Sequence, residues 1–292
     1  MTLRIHLDTD LGSDTDDLCA LAMLLGWQGI ELVGVTTNTD PRGIRAGFTA
    51  YALSLAGRDD VEVVAGAQGS LSSLFVPLAF PDYWPEEIEP RPARSGHAIE
   101  VLEGAAASGA TIVAVGPYTN LALLETARPG LLASTNVVVM GGHVTAPRRG
   151  LPQWGRDDDF NVQQDRYAAA IVFERVRPVV VPLAPCLDAH LRAAHLPRLR
   201  AAGPLGELIA DQSESHARDN GRTELGRAYP ELPDDLLNFH YDPLAGAIAA
   251  GWGGVAIEQI PTRIALGPDR LEMTRSDDGV PLRVVTDVDG RD

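Results

Sequence analysis

Apolar and polar positions along the chain alternate between two periods. Ile5 and Leu7 alternate with polar neighbours, which predicts a strand, and Leu18, Leu21, Ala22 and Leu25 recur just beyond it at helical spacing. Residues 31–37 predict a second strand, closing in the polar loop Asn38-Thr39-Asp40-Pro41, and a helix follows over Ile44–Leu55. A strand at 61–64, a helix over His97–Ala107, a strand at 111–115, a helix at 121–126 and a strand at 136–140 come next in turn. Beyond a loop at 143–158 the pattern predicts a helix at 166–174 and a strand at 178–183. A polar, mostly helical stretch over 187–237 leads to a helix at 244–250 with Pro243 at its head, then to closing strands at 256–266 and 282–286. Strands that alternate with helices and are apolar throughout imply a parallel sheet covered on both faces. The expectation is an α/β fold, an open, mostly parallel sheet with helices on both faces, in a single domain over 1–292 without internal repeat or linker.

The turn between the first strand and first helix interrupts this pattern most sharply. Asp8, Asp10, Asp14, Asp16 and Asp17 place five carboxylates within ten residues, and Gly12 supplies the backbone freedom of a tight turn. Open α/β folds bind their ligands at such a turn, beyond the carboxyl end of a strand and beside a helix N-terminus. A helix N-terminus favours an acid by roughly 0.3–1 kcal/mol, less than five acids repel one another. One reading leaves Asp16 and Asp17 as helix caps and the rest in solvent. The other is a divalent-cation site made only of oxygen, which suits Ca²⁺ or Mg²⁺ rather than zinc. Asn38, Asp40, Thr119, Asn120 and Gly141 also follow predicted strands and so fall on the same sheet edge, and Asp242 opens a late helix.

Composition narrows the partners. A net charge of −16 over 292 residues, with a pI near 4.8, gives no footprint for nucleic acid or an anionic membrane surface. All 24 basic side chains are Arg, which removes Schiff-base and P-loop lysine chemistry. Cys19 and Cys186 lie far apart, as expected of core thiols in a reducing cytoplasm. No apolar run has the length of a membrane span, and the chain opens into a strand rather than a signal peptide. The aromatic-rich loop over 66–94, with Phe75, Phe80, Tyr83 and Trp84, has the length of a functional lid. Trp84 and Trp154 are its candidates, with the loop at 143–158, for covering a ligand; His143 lies close to the expected site, and the other histidines lack ligand spacing.

With Asp8-Thr9-Asp10, Gly116-Pro117-Tyr118-Thr119-Asn120, Val139-Met140-Gly141-Gly142, Phe160-Asn161 and Asp242-Pro243-Leu244-Ala245 in this order, the chain resembles the inosine–uridine-preferring nucleoside hydrolase family. The resemblance implies hydrolysis of the N-glycosidic bond of ribonucleosides around one Ca²⁺, in a homodimer or homotetramer. Asp10 resembles the metal ligand that also serves as general base, Asp17 a bidentate ligand, Thr119 the main-chain ligand and Asp242 the closing carboxylate. Asp16, Asn161 and Asp159 resemble the groups that hold the ribose hydroxyls, and Met140 and Gln153 other substrate contacts. Where the family has Asn after the second strand, this chain offers Asn38 or Asp40. Asp14-Thr15 resembles an insertion whose carboxylate could join the metal. Tyr241 stands where a histidine helps the base leave, with His240 displaced by one. Two alternatives accompany this reading: a calcium-dependent nucleoside- or sugar-binding protein without catalysis, and a haloacid-dehalogenase-like phosphatase, for which Gly12 and the missing lysine are unsuited.

Overall fold

The architecture is that of a computed structural model, which describes residues 2–72 and 80–289. Strand β1 (Leu3–Thr9) leads through the acidic turn to α1 (Asp16–Gly26), then β2 (Ile30–Thr37), α2 (Ile44–Leu55) and β3 (Val63–Ala65). Next come α3 (His97–Ala107), β4 (Thr111–Ala114), α4 (Thr119–Ala127), β5 (Val137–Met140), α5 (Phe160–Gln164), α6 (Arg166–Ile171) and β6 (Val179–Val181). The polar stretch folds as α7 (Leu183–Cys186), β7 (His190–Arg192), α8 (Leu196–Ala201), α9 (Pro204–Asp219), α10 (Arg222–Ala228) and β8 (Leu236–Phe239). The chain closes with α11 (Tyr241–Ala249), β9 (Val255–Leu266), β10 (Leu271–Arg275) and β11 (Val280–Val288).

Nine strands form one sheet in the order β10-β9-β11-β6-β5-β4-β1-β2-β3. From β3 to β11 the neighbours are parallel, while β9 and β10 add antiparallel at the far edge. Residues of β4 show why both faces are covered: Val113 packs into one core with Leu21 and Leu244, and Ile112 and Ala114 into the other with Leu121 and Ala169. The chain builds outward from β1 through β2 to β3, then returns to lay β4 on the other side of β1. That reversal opens a crevice beyond the carboxyl ends of β1 and β4, where such sheets bind ligands.

The structure departs from the sequence pattern where elements are short. Two antiparallel strands, β7 and β8, lie within the stretch expected to be helical, and β10 was not expected at all. The helix expected at 166–174 ends at Ile171 and continues as a wider, π-type turn over Val172–Val176. Helix α11 begins at Tyr241, so Pro243 is its third residue rather than its first. Phe75 of the proposed lid lies outside the described residues.

Candidate active site

A cavity of about 1040 Å³ opens at the switch point, and Asp10, Asp16, Asp17, Asp242, Val115 and Met140 line its floor. Asp10 follows β1, Asp16 and Asp17 open α1, and Asp242 is the second residue of α11, which packs against α1. Asp16, Asp17 and Asp242 are buried, and each offers a carboxylate oxygen within 4.8 Å of the other two. At that separation each pair of charges repels by at least about 3.5 kcal/mol at an effective dielectric near 20, several times what a helix N-terminus returns. Burial, followed by the neighbouring carboxylates, raises all three well above the usual carboxylate range. A hard cation would remove this repulsion, and the donors are all oxygen, so the residues fit a divalent metal.

Asp10 is raised as well, by burial first, while the Arg45 guanidinium opposes. Arg45 Nη2 lies 3.6 Å from Asp10 Oδ2, with its side chain only 1% exposed. Its other nitrogens donate to the carbonyls of Thr39 (3.0 Å) and Leu11 (3.2 Å), so a buried cation braces both sides of the acidic turn. Sequence reasoning missed Arg45, which sits among apolar residues at the start of α2 and carries no motif. Gly116 completes the fit: a Cβ there would stand 2.6 Å from Asp10 Oδ1 and 2.8 Å from Asn38 Nδ2.

Several expected contacts are not at the cavity. Asp8 is fully buried and accepts from Thr36 (2.5 Å), Asn38 (2.8 Å) and Asn120 (2.7 Å); burial pushes it up to about 6 against these bonds. Asn38 is thereby turned inward, and Asp40 accepts from Thr37 and from the backbone N–H groups of Arg45 and Ala46, capping α2. Neither side chain lines the cavity, because protein partners use their polar atoms. Gln153 folds back onto the carbonyls of Arg148 and Leu151 and is exposed; its neighbour Trp154 lines the cavity instead. Trp84 stacks on Phe48 at 4.5 Å and donates to the Gly12 carbonyl, so it supports the turn from beneath rather than covering a ligand.

Thr119 is buried at the head of α4, its hydroxyl donating to Asp165 at 2.6 Å. The cavity wall beyond β4 is Val115, whose carbonyl accepts from Asn161 Nδ2 at 2.7 Å. Val115, four residues before Thr119, lines the cavity, and Thr119 does not. Asn161 also donates to the Met140 carbonyl at 3.1 Å. Asp159 accepts from the Gly142 and Val162 N–H groups, and burial pushes it up to about 6. His240 is half-buried and does not line the cavity, and burial and then His195 and His190 drive it down to about 4, whereas Tyr241 lines the cavity. His143 does not line it.

The acidic floor thus lies at the switch point of a parallel sheet, where open α/β folds bind their ligands. The family model described as inosine-uridine preferring nucleoside hydrolase matches residues 5–291, and the chain belongs to that family of N-ribosyl hydrolases. The pyrimidine-specific ribonucleoside hydrolase RihA of Salmonella paratyphi A is 32% identical over 267 residues, covering 86% of this chain and 76% of that protein. Among solved structures, the plant nucleoside hydrolase PpNRh1 superposes with a TM-score of 0.79 at 18% identity, covering 99% of this chain and 96% of that one. The purine-preferring ribonucleoside hydrolase from Gardnerella vaginalis gives 0.74 at 22% identity, over 98% and 94% of the two chains. Family membership removes the phosphatase alternative.

Proposed function

We propose that this chain hydrolyses the N-glycosidic bond of ribonucleosides to ribose and free base in a calcium-dependent reaction. The observation that carries the proposal is the buried group Asp16, Asp17 and Asp242, whose charged forms repel one another unless a cation or protons neutralise them. Asp10, Asp17, Asp242 and the Val115 carbonyl would hold the ion, the last in place of Thr119. When bound, calcium supplies positive charge that makes a nearby water more acidic and attracts the ribose hydroxyls. Asp10 accepts the proton of the attacking water, as a general base within reach of the sugar. Asp16 accepts hydrogen bonds from a ribose hydroxyl, and Asn161 and Met140 shape the wall beside it. Departure of the base leaves an oxocarbenium-like sugar cation, which this anionic floor stabilises.

The relatives named pyrimidine-specific make uridine and cytidine the first substrates to try. The test is release of ribose from a nucleoside panel by protein stripped with a chelator, then reloaded with calcium, magnesium or zinc. Restored turnover with calcium is expected. Activity indifferent to exhaustive chelation would remove the metal from the proposal, and calcium-dependent binding without turnover would leave the sugar-binding alternative. The reading carries with it a homodimer or homotetramer, for which light scattering gives the copy number.

A further inference from the structure

The cavity is lined by a cation and a histidine as well as by its acids. Arg222 at the start of α10 and His216 near the end of α9 both line it, beside Tyr241 and Trp154. Arg222 has its guanidinium 6.0 Å from the Trp154 ring and 5.7 Å from that of Phe239, and its Nε is buried without a partner. The His216 side chain is 7% exposed, and its Nε2 is also without a hydrogen-bond partner. Both are gathered around Asp14, 3.5 Å from Nε2 and 4.0 Å from Arg222 Nη2, and Asp14 is itself fixed by Asn238 Nδ2 at 2.5 Å. Asp14, in the acidic turn, thus anchors an Arg–His pair at the cavity.

The tautomer of His216 follows from its other nitrogen. The Asn220 amide nitrogen donates to the His216 carbonyl at 2.9 Å and lies 3.3 Å from Nδ1, so it presents hydrogen to Nδ1 and leaves the ring proton on Nε2. Burial, then Arg222, favours the neutral ring, with Asp14 opposing. The wall thus sets three donors at the cavity, the Arg222 fork, the His216 Nε2–H and the Tyr241 hydroxyl, which burial keeps protonated, beside the Asp14 carboxylate that holds the first two.

Resting on the function proposed above, we infer that Arg222 and His216, held by Asp14, form the leaving-group subsite and stabilise an oxo-pyrimidine base as it departs with the bonding electrons. A uracil has no basic ring nitrogen to protonate, and its carbonyl oxygens are acceptors, which the Arg222 and His216 donors match. In the step, the C1′–N1 bond breaks and its electron pair passes to the base, spread over N1 and the adjacent carbonyl oxygen. Water forms the new C1′–O bond and gives its proton to Asp10, and the base anion takes a proton from solvent after release. No general acid is required, in keeping with His240 not lining the cavity.

Arg222→Met, His216→Ala and His216→Gln test this with uridine and 4-nitrophenyl riboside, whose leaving group is already a stable anion. Removing a donor aimed at developing negative charge costs about 10²–10³ in kcat, so Arg222→Met and His216→Ala are expected to lose roughly that much on uridine. The losses on nitrophenyl riboside should be at least about tenfold smaller, because less charge needs stabilising. His216→Gln keeps an N–H near the Nε2 position and should restore most of the uridine turnover. Equal losses on both substrates would assign the pair to support of the acidic turn and overturn the inference. So would uridine turnover that ignores both residues, or a His216→Gln variant as impaired as His216→Ala, which would make His216 a proton donor. Calcium-loaded wild type inert on both substrates would instead remove the underlying reading of the site.

Discussion

Arg45 is an unusual neighbour for the proposed cation site, since its guanidinium would compete with a cation for Asp10. Breaking a buried pair by removing one partner typically costs about 3–5 kcal/mol, because the other charge is left uncompensated. Arg45→Met should therefore lower the stability of metal-free protein by an amount of that order and the calcium-loaded protein by much less, since the ion then serves Asp10. Calorimetry of calcium binding should show tighter affinity in the variant; unchanged affinity would place Asp10 outside the ligand set. Asp10→Asn separates role from fold in another way, keeping the size of the side chain while removing its proton-accepting charge. General-base catalysis alone is worth about 10²–10⁴-fold, so turnover should fall at least that far with the melting temperature little changed. Near wild-type turnover would move the base elsewhere.

At the scale of elements, what the sequence revealed and what it hid follow from length and direction. Helices α2 and α3 were legible to the residue because their apolar positions repeat over three turns, while β7 has only three residues and β10 five, too few for a period to stand out. The acidic turn was legible because carboxylate identity is written in the sequence. A main-chain contact was not, since any residue supplies a carbonyl, and only the structure shows that Val115 lines the cavity whereas Thr119 turns its hydroxyl to Asp165. Gln153 failed for a related reason, as a loop side chain turns toward whichever carbonyls lie nearest. At α11 a one-residue offset decides which ring meets the cavity: His240 is the cap residue, its N–H bonded to Ala189, and Tyr241 is the first turn. His240→Ala should thus change turnover less than about tenfold, whereas Tyr241→Phe removes a donor and should cost more on natural nucleosides. The reverse ranking in a uridine assay would mean that His240 reaches the base after all.

For the whole molecule, the sheet reversal between β1 and β4 brings together acids separated by more than two hundred residues, and the fold must hold them against their own repulsion. Folded Asp16, Asp17 and Asp242 have raised proton affinities, from burial and then from one another. Metal-free folded protein consequently binds more protons than the unfolded chain once pH exceeds the ordinary carboxylate value of about 4, and its stability declines as pH rises through the raised values. His6 and His240, lowered to about 3 and about 4 by burial, act in the opposite sense. Their contribution is lost only as pH falls below the unfolded imidazole value of about 6.5, so above it they are neutral in both states and the carboxylates set the slope. From about pH 6.5 to about pH 8 the melting temperature of metal-free protein should therefore fall. Calcium in hundredfold excess over its dissociation constant should raise stability by about 2.7 kcal/mol and flatten the pH dependence, because the bound charge favours the ionised carboxylates. A metal-free melting temperature that climbs across this range, or one that calcium leaves untouched, would show that these three carboxylates are not held together as a cation site.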